Sequence, residues 1–334
     1  MSSQNQTPCS NGANTGSKAS GDDIEDQTFL ENVLEGLSKT PRELSAKYFY
    51  DQQGSELFDQ ICELEEYYVT RTEMAIMDQC IEEIALEIGK DVMLVEYGSG
   101  SSTKTRKLLR HLQELTAYVP IDISSEHLLQ TANDLRNLFP DIEILPVVAD
   151  FTTQFPLPKS KKPAAQAVVY FPGSTIGNFR RQDAQQMLEQ FSDLVGQSGG
   201  LLIGIDLQKD IAVIEAAYND AEGVTAAFNM NLLKRINREL GANFDLDGFE
   251  HRAVYCENQG RIEMKLISKK AQTVSIGDQV FEFQAGEPIT TEYSHKYKID
   301  QFAKLAAQAG FLLKHQWSDP KDYFAILYFV TDAN

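Results

Sequence analysis

The chain has no excess of positive charge, no paired cysteines, no histidine cluster and no long apolar run. Against 30 Lys and Arg stand 49 Asp and Glu, a formal net charge of -19 over 334 residues. A field of that sign repels phosphate, so work on nucleic acid or on anionic lipid is disfavoured and a small zwitterionic or cationic substrate is favoured. The four cysteines, Cys9, Cys62, Cys80 and Cys256, show no CxxC pair and no metal-ligand spacing. Free thiols in a reducing compartment are therefore expected. The five histidines are scattered, with neither HxxxH nor HExxH, and no metal site is expected. No stretch approaches the roughly 18 apolar residues of a membrane helix. The N-terminus lacks the basic-then-apolar order of a secretory signal, so a cytoplasmic protein without membrane attachment is expected. A dinucleotide fingerprint is also incomplete: after Gly98 and Gly100 comes Thr103, where a third glycine would stand.

What is present can bury one large core or two smaller ones, since 42% of the residues are hydrophobic. Residues 1–22, rich in Ser, Asn, Gly and Gln, cannot offset their ordering entropy by burial and predict a disordered tail. Helical spacing then appears at Phe29, Val33, Leu34 and Leu37, and again at Leu57, Phe58, Ile61 and Leu64. Tyr48, Phe49, Tyr50, Tyr67 and Tyr68 crowd the second of these helices, as core or as the wall of a substrate site. A stripe of Met74, Met77, Cys80 or Ile81, Ile84 and Ile88 predicts a helix from Glu73, stopped by Gly89. From residue 92 to 207 strands alternate with helices, which implies a parallel sheet covered on both faces. Between about 208 and 298 the rhythm changes to one helix, residues 225–240, and two hairpins turning near 258–260 and 276–278. This stretch is expected to form a lobe of its own. The runs "LLKHQW" and "FAILYFV" are joined by only "SDPKD", too short a link for parallel neighbours, so the sheet ends in an antiparallel pair.

Acids stand at three consecutive strand ends. Glu96 precedes the glycines, Asp122 ends the second strand at about the distance where an acid meets ribose hydroxyls, and Asp150 ends the third, placed for an adenine amino group. With the C-terminal hairpin, this set points to S-adenosylmethionine rather than a nicotinamide cofactor. A sulfonium carrying an ammonium and no phosphate suits an acidic cleft, and Lys104 is available for its carboxylate. Gly98 and Gly100 permit the close backbone approach such a ligand needs.

Nine stretches then occur in one order: "YFYDQQGSELFDQI", "EYYVTRTE", "GSGSSTKT", "GSTIGNF", "DLQKD", "AAFNMNLL", "NRELGANFDLDGFEH", "RIEMKL" and "TEYSHKY". In them the chain, from about Lys47 to its C-terminus, resembles the histidine-specific Nα-methyltransferases that make hercynine for ergothioneine synthesis. The resemblance implies an α/β fold: a class I methyltransferase (Rossmann-like) seven-stranded sheet with an antiparallel C-terminal hairpin, plus a second α+β lobe for the amino acid. It assigns residues 23–72 and 208–298 to that substrate lobe, and 73–207 and 299–334 to the S-adenosylmethionine-binding domain. It implies that Gly98, Lys104, Asp122, Asp150 and Phe151 face the cofactor. Tyr67, Asn178 and Tyr218 would hold the α-amino and carboxylate end of histidine, with Tyr50 near the amine. Tyr50 and Asn178 would be the neutral catalytic groups. Glu292 and Ser294 would grip the imidazole, and Met264 would line the side-chain pocket. Read alone, the same residues allow plainer roles: Asn178 as a helix cap, Tyr218 as helix packing, Glu292 as a surface charge on a strand edge, Met264 as core filler. The implied activity is trimethylation of free L-histidine by a monomer. Another amino acid or a small aromatic amine is the alternative acceptor, and a silent binding module is the alternative class.

Overall fold

In chain order the elements are α1 (Gly21–Ser38), β1 (Arg42–Glu43), α2 (Gln52–Glu63), α3 (Tyr68–Ile88), β2 (Val92–Tyr97), α4 (Thr103–His111), β3 (Ala117–Asp122), α5 (Ser125–Leu138), β4 (Glu143–Ile144), β5 (Val147–Val148), β6 (Gln166–Phe171), α6 (Arg181–Val195), β7 (Gly200–Asp206), α7 (Ile211–Ala216), α8 (Val224–Leu240), β8 (Phe249–Cys256), β9 (Arg261–Ser268), β10 (Gln272–Ile276), β11 (Gln279–Phe283), β12 (Pro288–His295), α9 (Ile299–Gln308), β13 (Phe311–Ser318) and β14 (Phe324–Thr331). Short 3-10 turns cover Ala46–Phe49 and Thr175–Asn178. The computed structural model describes residues 21–98, 103–122, 125–149 and 155–331. Most of the tail expectation, residues 1–20, lies outside the described residues, as do Gly100, Asp150 and Phe151.

The fully buried strands β2 and β7, and the buried last four residues of β6, read as near-continuous apolar sequence because helices cover both faces of their sheet. That sheet runs β13-β14-β7-β6-β2-β3-β4, with β5 also on β3. Strands β2, β3, β6 and β7 are parallel, while β14 is antiparallel to both β7 and β13. This is the strand order of a class I methyltransferase, and the expected C-terminal hairpin is its reversed edge. The strand expected over residues 142–150 is broken instead into β4 and β5. Pro146 lies between them and has no N–H for the ladder. The outermost of the seven strand positions is therefore made of two short pieces, eight strands in all.

Helix α3 begins at Tyr68, five residues before the predicted start. Its buried face is Val69, Glu73, Ile76, Met77, Ile81, Ile84 and Ile88, with Met74 only half-buried. An acid thus sits inside an apolar stripe. A second sheet, β1-β12-β9-β8, packs against α8. Its β1 comes from before α2 and pairs in parallel with β12. A register shift between Thr290 and Glu292 marks a bulge in β12. Beyond it Glu292 lies opposite Met264 and Ser294 opposite Ile262. Bulges of this kind re-aim side chains beside functional sites. Among the described residues no helix is long and apolar enough to cross a membrane.

Candidate active site

The carboxyl ends of β2, β3, β6 and β7 meet where the strand order reverses, the usual ligand crevice of an open parallel sheet. Gly98 closes β2 with φ 73°, donates to Ile121 O at 2.9 Å, and a Cβ there would meet nothing within 4 Å. The position therefore demands glycine for its backbone and leaves open space beside it. Lys104, in the first turn of α4, is ion-paired with Glu73 of α3. Both Glu73 oxygens also lie 3.0 Å from Gly173 N, in the loop after β6. Asp122 ends β3, half-buried. Glu96 departs from expectation. It is 2% exposed, accepts from Thr105 Oγ1 at 2.7 Å and from Tyr118 Oη, and so braces α4 against β2 and β3 instead of lining an opening. Burial pushes its carboxyl up to about 7, although those two hydroxyls pull the other way.

Aromatic rings form the other wall. Asp51 caps α2 by accepting from Gly54 N at 2.7 Å, and the same carboxylate accepts from Asn231 of α8 at 2.8 Å. The residue before it, Tyr50, is fixed by this cap on one side. On the other side, buried Phe49 stacks on Phe228 with centroids 4.5 Å apart. Tyr50 meets Phe58 and Phe228 edge-on at 5.7 and 5.8 Å, Phe58 meets Tyr67 at 6.2 Å, and Tyr67 meets Tyr218 at 6.2 Å. Tyr50 keeps 43% of its surface open, yet the protein around it drives its phenol well above the ordinary value, and Glu292 adds to the shift. Tyr218 Oη and Ser294 Oγ are 2.7 Å apart. Backbone O of Tyr218 accepts from His251 Nε2 at 2.8 Å. Asn229 Nδ2 lies 2.9 Å from His251 Nδ1, while Asn229 Oδ1 accepts from Thr291. That arrangement fixes His251 as a neutral ring, consistent with burial lowering its pKa.

Glu292 is half-buried and has no hydrogen-bond partner among the described residues. Burial raises its carboxyl to about 7, partly opposed by Lys296. Its field also raises Tyr50, Tyr67 and Tyr218, so these four groups share one site. Met264, 1% exposed, is core packing directly across the strand pair from Glu292. Asn178 ends the 3-10 turn after β6. The residue before it, Gly177, packs so closely on β12 that a Cβ would come within 2.8 Å of His295 O. The N-cap of α6 is Arg180, not Asn178, so the capping role does not apply.

Residues 29–331 match the sequence profile of a family described as histidine-specific, SAM-dependent methyltransferases. The chain belongs to this family. It is 40% identical over 306 residues to the histidine N-alpha-methyltransferase of Mycolicibacterium smegmatis, covering 90% of this chain and 94% of that one. With the histidine N-alpha-methyltransferase of Mycobacterium tuberculosis the identity is 39%, over 92% of this chain and 96% of the other. Ergothioneine biosynthesis protein 1 of Neurospora crassa is 30% identical over 85% of this chain, which spans 32% of that longer protein.

S-adenosylmethionine is the cofactor of this methyltransferase, and the residues present fit it. Gly98 leaves room for close approach, Lys104 offers a cation to a carboxylate, and Asp122 stands at the end of β3. Four residues beyond those read from the sequence stand in contact with these groups: Glu73 with Lys104, Lys296 with Tyr218 and Ser294, and Asp206 with Lys296 and Lys209. Asp206 ends β7, fully buried, and pairs with Lys296 at 2.7 Å and with Lys209. It also accepts from Tyr68 Oη at 2.9 Å. The available signals were an acid inside the apolar stripe of α3 and the alternation of Glu292, Ser294 and Lys296.

Glu73→Gln is expected to weaken S-adenosylmethionine binding about 10- to 100-fold, because an amide N–H₂ would replace an acceptor facing Lys104 or Gly173 N. Calorimetry on the folded variant checks it. An unchanged affinity would remove Glu73 from the cofactor side.

Proposed function

We infer that the chain methylates the α-nitrogen of free L-histidine with S-adenosylmethionine, forming hercynine in three transfers as the first step of ergothioneine biosynthesis. The observation that carries the histidine reading is Glu292: a half-buried carboxylate with no hydrogen-bond partner among the described residues, two residues from the Ser294 hydroxyl and beside a group of tyrosines. A carboxylate accepts one ring N–H and a hydroxyl serves the other ring nitrogen. That pairing distinguishes an imidazole from a plain aromatic ring.

S-adenosylmethionine, when bound, supplies the electrophilic methyl group. This chain's residues hold the amino acid so that its nitrogen lies in line. Alignment alone contributes much of the acceleration in such displacements. Tyr50 stays protonated at any working pH, a neutral group that can orient an amine without abstracting a proton strongly. An α-amine that titrates near about 8 needs no stronger base. In this reading Tyr67, Asn178 and Tyr218 hold the amino-acid end, and Lys104, Asp122, Asp150 and Phe151 the cofactor. Pairing of β1 with β12 supports a substrate lobe built from residues 23–72 and 208–298. A cytoplasmic monomer completes the proposal.

Mass spectrometry of histidine incubated with the protein and S-adenosylmethionine tests it. Products carrying one to three added methyl groups are expected. Turnover of other amines with none of histidine would overturn the substrate assignment.

A further inference from the structure

Lys296 is buried beside the proposed substrate site, yet none of its protons can reach a substrate. Its side chain is 1% exposed. The ammonium has three N–H groups and three acceptors: Asp206 Oδ2 at 2.7 Å, Tyr218 Oη at 2.9 Å and Ser294 Oγ at 2.9 Å. An ammonium donates and never accepts. The two hydroxyl oxygens it touches are themselves 2.7 Å apart. One hydroxyl hydrogen must lie in that shared bond, and the other cannot point at Lys296. The pair is left with a single hydrogen directed away from the triangle.

When Tyr218 donates to Ser294, both lone pairs of Ser294 are taken, one by Tyr218 and one by Lys296. Ser294 can then only donate. Two residues back along β12, Glu292 can only accept when ionised. A strand places such alternate residues on one face, roughly 7 Å apart. Donor and acceptor at that spacing match a ring with a bare nitrogen at one edge and an N–H at another. Asp206 keeps Lys296 charged, and Lys209 on the same carboxylate leaves Asp206 neutralised if Lys296 is removed.

We propose that Lys296 is a positioning residue that commits the Ser294–Tyr218 hydroxyl pair to presenting one O–H donor, and thereby selects a side chain with an unprotonated ring nitrogen. The inference rests on the histidine reading above and adds to it the group that fixes hydroxyl direction.

The test compares Lys296→Met, Lys296→Arg, Ser294→Ala and the Lys296→Met/Ser294→Ala double variant. Acceptors are histidine and its pyrrole analogue, which keeps one N–H and lacks the bare nitrogen. Lys296→Met should raise the KM for histidine about 10- to 30-fold with kcat within about threefold and cofactor affinity unchanged. The preference for histidine over the pyrrole analogue should shrink by a similar factor. Lys296→Arg, which retains charge and donors, should recover part of the loss and stands in if the methionine variant does not fold. On the Ser294→Ala background, Lys296→Met should add less than about a twofold change. Full additivity in that cycle, or equal losses in kcat and cofactor affinity, would overturn the proposal. A wild-type enzyme that uses another amine but not histidine would overturn the histidine reading instead. The same cycle is then read with that amine, and full additivity there overturns the role of Lys296.

Discussion

Glu292→Ala is expected to raise the KM for histidine by about 30- to 150-fold, the worth of one hydrogen bond to a charged group, on the order of 2–3 kcal/mol. Cofactor affinity should stay within about twofold, because Glu292 lies on β12 and the proposed cofactor groups lie at the ends of β2 and β3. Equal losses of both, or an unchanged KM, would remove Glu292 from the imidazole end. The same carboxylate is a burden to the fold. Its pKa is raised from the ordinary 4.5 to about 7. Between those values the folded chain holds a proton that the unfolded chain has released. The favourable contribution is therefore whole below pH 4.5 and is lost as pH rises to about 7, on the order of 3 kcal/mol at most. Glu292→Gln should flatten that slope: unfolding at pH 4 should match the wild type, while at pH 7.5 the variant should be the more stable. Binding of neutral imidazole should follow the opposite trend, strengthening as Glu292 ionises. A carboxylate that costs stability at the working pH and has no hydrogen-bond partner among the described residues is of the kind a ligand would pair.

The main sheet was legible because its strands are continuous apolar runs and its helices carry one-sided stripes, both local properties. Most of the misplaced detail came from contacts local spacing does not encode. β1 is two residues long and exists only by pairing with β12, hundreds of residues away along the chain. The strand end at Glu96 suggested a cleft-facing acid, but Thr105 and Tyr118 turn it inward, and nothing in the run "LVEYGSG" announces those partners. The aromatic wall was legible as a crowd of tyrosines, while Phe58 read only as one residue of a helical stripe. Glu73, Asp206 and Lys296 were hidden for a different reason. Read singly, a charge in a sequence is a surface residue, and only the fold brings these three to buried partners.

Asp206→Ala should be the most destabilising single change in the site, costing about 3–5 kcal/mol of unfolding free energy at pH 7 by urea titration. It leaves two lysines, with side chains 1% and 4% exposed, without their carboxylate. Tyr68 also loses its acceptor. Burial already pulls Lys209 down to about 8 with Asp206 in place, while Asp206 holds Lys296 above its ordinary value against the pull of burial, so removing the anion must lower both lysines. A base whose folded pKa lies below its unfolded value costs stability where the unfolded chain is protonated and the folded chain resists it. That cost is greatest near neutrality and fades as pH rises toward about 10.4. The deficit of Asp206→Ala should therefore narrow between pH 7 and 9.5, and adding Lys296→Met should recover part of it by removing one unpaired charge. A loss below about 1 kcal/mol at pH 7, or a deficit that widens with pH, would mean the lysines find other partners. The consequence reaches beyond stability because of where the pair sits. Asp206 ends β7 in the main sheet and Lys296 follows β12 in the second, while Asp206 O accepts from Tyr297 N at 2.8 Å and Asp206 N donates to Ser174 Oγ at 2.9 Å. One buried carboxylate thus ties the strand end beside the proposed cofactor crevice to the strand that carries Glu292 and Ser294. Asp206→Ala leaves two unpaired ammonium groups at that junction, so kcat for methyl transfer should fall even in the fraction that remains folded, whereas Lys296→Met leaves Asp206 paired with Lys209 and kcat nearly unchanged.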